Sequence, residues 1–143
     1  MDGSRHEIRE LLAAARGGAA LYRRAQARVA DVRLRALFAE YARTRDRLAA
    51  EFAAAAGEPG AGGRDTAGRW LRTAYTDWLT RRGPDRDAAW IAELEEAEDA
   101  LLDAIEDALD GGVPPGLRAL LAARLPEVRA GHDRMRALKR TRH

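Results

Sequence analysis

The sequence contains no cysteine and only three histidines, at positions 6, 132 and 143. The absence of cysteine excludes a disulfide framework, thiolate-bound zinc, iron–sulfur clusters and a thiol nucleophile. Three histidines this far apart along the chain are too few for the histidine-rich iron site of a haemerythrin-type oxygen sensor. At 143 residues the chain is long enough for one domain with its own hydrophobic core.

The chain also lacks a large excess of charge of either sign. Its 25 lysine and arginine residues and 23 aspartate and glutamate residues leave a formal net charge of +2, which gives no electrostatic reason to expect a nucleic-acid partner. No apolar run reaches the roughly 20 residues that span a bilayer. The polar segment from Met1 to Glu7 has no apolar signal-peptide core. We therefore expect a cytoplasmic protein with no membrane contact.

Apolar residues spaced three and four apart dominate the sequence, which is the pattern of amphipathic α-helices. No segment alternates apolar and polar residues over a convincing length, so strands are not expected. Glycine and proline mark the helix ends: residues 57–63 form the clearest loop, and residues 111–115 separate the last two helices. The predicted helices cover residues 4–29, 32–56, 66–81, 86–110 and 115–141 of a single domain, 1–143.

The lengths of the connections predict how these helices pack. Short turns join the helices at 4–29 and 32–56, and those at 86–110 and 115–141, into two antiparallel hairpins. The long crossover between the hairpins carries the extra short helix. An all-α, antiparallel four-helix bundle with one such crossover has the connectivity of ferritin-like folds. We therefore predict a ferritin-like four-helix bundle.

Charged residues on the apolar stripes are the main chemical signal in such a bundle. Glu98 falls on the inward stripe of its helix, with Glu95 one turn earlier, and His132 falls on the inward stripe of the last helix. Arg45 lies on the stripe of the second helix, and Arg129 lies three residues before His132. We expect Arg45, Glu98, Arg129 and His132 to form a polar cluster in the core, with Glu95 at its edge.

A metal centre is the alternative role for these residues. A carboxylate-bridged two-metal site needs a glutamate from each of two helices and a Glu-x-x-His pair from each of the other two. This chain offers Glu95 or Glu98 on one helix and only His132 on the next, where Arg129 replaces the glutamate. Because such metals usually take four to six ligands, we predict that the metal centre is absent or vestigial. The alternative is iron or manganese binding through Glu95, Glu98 and His132, with a di-metal oxidase-type activity.

A series of short motifs runs in order along nearly the whole chain. They are Leu34 to Phe38, Arg45, Glu51-Phe52, Gly68 to Trp70, Glu95 to Leu101, Leu117 to Leu121, Val128, and His132 to Arg134. With these motifs the chain resembles an uncharacterised bacterial family of ferritin-like four-helix-bundle proteins, a domain of unknown function. The resemblance implies the bundle fold and little chemistry. Relatives often carry an acidic run in the first helix where this chain has Gly17-Gly18-Ala19, which further weakens a metal role.

Nothing in the sequence assembles a catalytic site. There is no Ser/His/Asp arrangement, and the glycine-rich segment 57–63 follows no strand and carries no lysine to hold a phosphate. We therefore expect a non-enzymatic structural, interaction or stress-related protein.

Two interaction surfaces are open alternatives. DNA could be contacted by the basic C-terminal tail, although basic residues at a helix C-terminus also oppose the helix dipole. The tail contains Arg134, Arg136, Lys139, Arg140, Arg142 and His143. The tryptophans on or beside the crossover, Trp70, Trp78 and Trp90, either seal the crossover onto the core or, if exposed together, form a homo-oligomer surface.

Overall fold

Four α-helices form the regular structure of the residues that the computed structural model describes, 2–57 and 84–141. They are α1 (Asp2–Arg28), α2 (Val32–Ala56), α3 (Pro84–Asp110) and α4 (Pro115–Thr141). No strand occurs in these residues, so the predicted all-α class is confirmed for them. The predicted helix at 66–81 lies outside the described residues. No described helix is both long and apolar enough to be a candidate membrane span.

Local sequence explains the ends of α2. The Asp31 carboxylate accepts a hydrogen bond from the backbone N–H of Arg33 at 2.8 Å, which is the usual role of an N-cap aspartate. Gly57 ends the helix with a φ of 73°, a left-handed conformation that glycine adopts without steric cost. The other helices have nearly the predicted bounds, although α1 and α3 begin at Asp2 and Pro84, two residues before their predicted starts.

The helices pack as two hairpins, α1–α2 and α3–α4, which lie side by side. α1 packs against α3, and α2 packs more lightly against α4. We call these four packed helices the bundle. Because α2 and α3 make no direct backbone approach, they occupy diagonal corners of it.

Contacts at the two ends of the bundle fix the direction of each helix. At one end Asp87, near the start of α3, accepts hydrogen bonds from the backbone N–H groups of Ala30 and Asp31 in the α1–α2 turn, at 2.8 and 3.1 Å. At the other end the Glu7 carboxylate of α1 lies against Gly111, just after α3. α2 and α3 therefore run in the same direction, so the end of α2 and the start of α3 lie at opposite ends of the bundle.

The interior consists of two apolar clusters stacked along the bundle axis. The first cluster, towards the α3–α4 turn, includes Leu11, Ala15, Leu48, Phe52, Leu101, Ile105, Leu117 and Leu121. The second cluster, towards the α1–α2 turn, includes Tyr22, Val29, Leu34, Phe38, Trp90, Ile91, Leu94 and Met135. All four helices contribute to each cluster, so neither hairpin buries its apolar face alone.

Candidate functional site

A polar layer separates the two apolar clusters at mid-height of the bundle. Arg45 on α2 lies between Ala42 of the second cluster and Leu48 of the first. Glu98 holds the equivalent position on α3, and Gly131 lies at the same level on α4. Arg45 and Glu98 are each 1% exposed, so two full charges lie in the centre of the molecule.

Arg45 and Glu98 form a two-pronged ion pair across the diagonal of the bundle. Nε of Arg45 donates a hydrogen bond to Oε2 of Glu98 at 2.9 Å, and Nη2 donates to Oε1 at 2.6 Å. Parallel bonds of this kind are the strongest contact that a guanidinium makes with a carboxylate. Both carboxylate oxygens are therefore engaged by one partner.

The electrostatics keep this arginine charged. Burial alone lowers the pKa of Arg45, because it penalises the charged guanidinium, but the hydrogen bonds and the negative charge of Glu98 outweigh it. The pKa of Arg45 is consequently raised above its usual value. Arg45 is therefore a fixed cation at the centre of the bundle.

Two tyrosines complete the surroundings of the pair. The guanidinium carbon of Arg45 lies 5.5 Å from the centre of the Tyr41 ring, a cation–π distance, and the rings of Tyr41 and Tyr22 are 5.3 Å apart. Burial, followed by the charge of Glu98, raises the pKa of Tyr22 well above its usual value. The Tyr22 hydroxyl makes no hydrogen bond of acceptable geometry with the described residues. It is therefore a neutral buried phenol close to the carboxylate.

Gly131 provides the space in which the pair lies. A β-carbon at this position would lie 2.6 Å from Oε1 of Glu98, well inside van der Waals contact with Nη2 of Arg45, and 3.2 Å from the Tyr41 ring. A side chain here would displace the two charged groups, so the close approach requires glycine. α4 thus contributes space to the polar layer, because Gly131 has no side chain.

Arg129 is not part of this layer. Its side chain is 58% exposed and pairs with Glu106 of α3 at 3.6 Å, so the prediction that it joins the core cluster is wrong. Its neighbour Val128 is fully buried. Because consecutive helical residues are separated by about 100°, the residue after an inward-facing valine is turned towards solvent.

His132 lies at the edge of the bundle and makes no hydrogen bond or ion pair with Arg45 or Glu98 in the described structure. Its Nε2 is 2.5 Å from Oδ1 of Asp99 on α3, and its Nδ1 is 3.4 Å from Oδ1 of Asp133. The first contact is an ion-pair distance without hydrogen-bond alignment, since Nε2 has no hydrogen-bond partner of acceptable geometry. The Asp99 side chain is 53% exposed, so this link between α3 and α4 faces solvent.

Glu95 is held by two cations of α4. Lys139 Nζ lies 3.0 Å from one of its oxygens and Arg136 Nε lies 3.5 Å from the other. Burial raises the pKa of Glu95, but the hydrogen bond and charge of Lys139, and then those of Arg136, lower it by more. The net pKa of Glu95 is lowered. Two cations of the tail considered for DNA contact are thus already paired within the chain.

The three candidate metal ligands face three different partners. Glu98 binds Arg45, Glu95 binds Lys139, and His132 contacts Asp99. In residues 2–57 and 84–141, no group of three histidine or acidic side chains is placed to hold a metal ion. A guanidinium has no lone pair to offer a metal, and it occupies both oxygens of the innermost carboxylate. The donor set of the polar layer does not fit a metal centre.

Of the three tryptophans considered for an oligomer surface, only Trp90 lies in the described residues. Trp90 is 2% exposed and belongs to the second cluster, so of the two alternatives for this residue the structure favours a place in the core. Trp70 and Trp78 lie outside the described residues. In the part of the chain that is described, Val32 is the one large apolar side chain exposed to solvent, at 71%.

Residues 5–111 match the family model described as "domain of unknown function (DUF2383)". The chain belongs to this family. No curated protein and no solved structure matches the chain. The match to the family includes Arg45 and Glu98 but ends before α4, so both charged partners lie within the family's part of the chain and Gly131 lies beyond it.

Three residues of structural consequence, Gly131, Tyr22 and Asp87, are not identified by the sequence arguments. Gly131 does carry a signal, because a glycine inside a helix costs about 1 kcal/mol relative to alanine and so indicates a close approach. Tyr22 follows the spacing of the apolar stripe, so the sequence indicates only a core residue there. Asp87 reads as an ordinary residue of a first helical turn, because its partners in the α1–α2 turn are distant in sequence.

Proposed function

We propose that this protein is a non-enzymatic, ferritin-like four-helix bundle with a structural or interaction role, in which a buried ion pair replaces the metal centre. The observation that carries the proposal is the Arg45–Glu98 pair, whose side chains are 2% and 1% exposed. Bundles of this class build their metal sites from inward-facing side chains of facing helices. Here the inward-facing polar groups satisfy each other.

The direction of the helices supports the ferritin-like part of the proposal. In a bundle with short connections only, the third helix starts where the second ends. Here α2 ends at one end of the bundle and α3 begins at the other, near the α1–α2 turn. The 27 residues of α3 correspond to a length of about 40 Å, so these two helix ends are separated by about the length of the bundle. A second and a third helix that run in the same direction are expected of the ferritin-like connectivity, which has one long crossover.

Charge balance supports the absence of a metal. A buried carboxylate is costly unless an opposite charge and hydrogen bonds compensate it. Arg45 supplies both to Glu98 through two short bonds, which leaves no net negative charge to attract a cation. Glu95 is compensated in the same way by Lys139 and Arg136.

In the described residues, no observation favours either alternative, metal binding or DNA contact, over this proposal. Iron or manganese binding would require Glu98 to exchange its bonds with Arg45 for a metal, and Glu95 and His132 to leave their own partners. Among the described residues of the basic tail, Arg134 and Arg140 are exposed, whereas Lys139 and Arg136 are paired with Glu95. Arg142 and His143 lie outside the described residues.

Elemental analysis tests the proposal. Protein produced in medium supplemented with iron and manganese, and purified without chelators, should contain far less than one atom of iron, manganese or zinc per chain. The matched comparison uses Glu98→Ala and Glu51→Ala, which remove a buried and a half-exposed carboxylate respectively. A stoichiometric metal that Glu98→Ala loses and Glu51→Ala keeps would overturn the proposal.

A further inference from the structure

Each hairpin of the bundle carries one half of the buried ion pair. Arg45 belongs to the α1–α2 hairpin, whereas Glu98 and the glycine that makes room for the pair, Gly131, belong to the α3–α4 hairpin. We propose that this pair determines how the two hairpins associate: it sets their relative position along the bundle axis, and it determines which hairpin packs against which. This selection, rather than a gain in stability, is its main contribution. The inference does not depend on the cellular role of the bundle.

The two apolar clusters alone do not fix the relative height of the hairpins. Their residues recur every three or four positions on each helix, so a slip by one helical turn would again face apolar side chains with apolar side chains. The same slip would move Arg45 and Glu98 about 5.4 Å apart along the axis and leave both charges buried without a partner. A buried unpaired charge is far more costly than an imperfect apolar contact.

The pair also discriminates between partners. Two α1–α2 hairpins packed together would bring two Arg45 guanidinium groups into one interior, and two α3–α4 hairpins would bring two Glu98 carboxylates together. Only the mixed pairing joins opposite charges, and the glycine that leaves room for the guanidinium is on α4. Like-charge repulsion against the wrong partner, combined with attraction for the correct one, is how specific helical assemblies choose their partners.

This role can be separated from stabilisation by experiment. Replacing a buried ion pair by apolar residues of similar volume often leaves stability unchanged or increases it. The double variant Arg45→Met/Glu98→Leu therefore keeps the core filled while removing the charges that distinguish one hairpin pairing from another. Its matched control is Arg124→Met/Glu51→Leu, which removes an ion pair that also joins the two hairpins but is 39% and 30% exposed.

The test compares the full-length wild type, the double variant and the control. We expect the double variant to unfold at the same urea concentration as the wild type or a higher one. We also expect additional species of twice the wild-type mass in light scattering, and more than one backbone amide resonance for residues of the polar layer. The control should match the wild type in mass and give single resonances.

Two results would overturn the inference. One is a double variant with the mass and the single set of resonances of the wild type, because the charges would then select nothing. The other is a double variant that fails to fold or unfolds at a much lower urea concentration, because the pair would then act mainly as a stabilising contact.

Discussion

Replacing Gly131 by alanine is the smallest change that should disturb the buried ion pair. The added β-carbon would lie 2.6 Å from Oε1 of Glu98 and inside van der Waals contact with Nη2 of Arg45. A glycine-to-alanine change inside a helix by itself stabilises by about 1 kcal/mol. Overpacking costs about 1–3 kcal/mol, and full separation of the charges costs about 3–5 kcal/mol. Because the β-carbon would displace both charged groups, we expect the cost of separating them, less the helical gain, to lower the free energy of unfolding by about 2–4 kcal/mol.

Urea unfolding followed by circular dichroism at the helix band measures this change. Gly18→Ala is the matched control, because Gly18 lies in the middle of α1 and, among the described residues, no neighbouring heavy atom lies within 4 Å of its added β-carbon. The free energy of unfolding of Gly18→Ala should rise by up to about 1 kcal/mol. In both glycine variants the slope of the unfolding free energy against urea concentration should equal that of the wild type. If Gly131→Ala is as stable as the wild type, or if both variants shift in the same direction, the close packing of Gly131 against the pair is refuted.

Three further predictions concern acidic residues. Glu98→Ala leaves the Arg45 guanidinium buried and unpaired, so it should lower the free energy of unfolding by about 3–5 kcal/mol. Glu51→Ala, which breaks a half-exposed pair, should lower it by less than about 1 kcal/mol. Equal losses in urea unfolding would contradict the burial argument. Asp87→Ala removes the acceptor of two backbone N–H groups in the α1–α2 turn, so we expect a loss of about 1–3 kcal/mol and faster amide hydrogen exchange in that turn, and unchanged exchange would argue against the contact. The pKa of Glu95 is lowered in the folded state, so its contribution to stability is present at neutral pH and is lost as the pH falls below the unfolded value of about 4.3. The difference in urea midpoint between the wild type and Glu95→Gln should therefore shrink between pH 6 and pH 3, and a constant difference would count against the ion pair.

Apolar periodicity predicts the helices well because it reports directly which face of each helix is buried. The same periodicity identifies Arg45 and Glu98, since each is a charge in a position where the pattern requires an apolar side chain. The structure shows that both are buried. Periodicity does not show which charged side chain pairs with which, because Arg45 and Glu98 lie on different helices and are 53 residues apart in the sequence.

The errors and omissions have specific physical causes. The spacing from His132 predicts a core position for Arg129, but one residue changes the direction of a helical side chain by about 100°. Arg129 lies on the exposed face of α4. His132 is buried at the edge of the bundle against Asp99, a distinction that depends on the rotation of α4 about its axis. Gly131 contributes empty space, which a pattern of side chains cannot represent.

Nuclear magnetic resonance of the arginine side chains tests the central claim most directly. A buried guanidinium held by two hydrogen bonds should exchange its Nε proton slowly and rotate slowly, so its Nη protons should give separate resonances. We expect this behaviour for Arg45, its loss in Glu98→Ala, and no change when iron or manganese is added. An Arg45 Nε proton that exchanges as fast as that of the exposed Arg43, or that is unaffected by Glu98→Ala, would contradict the account.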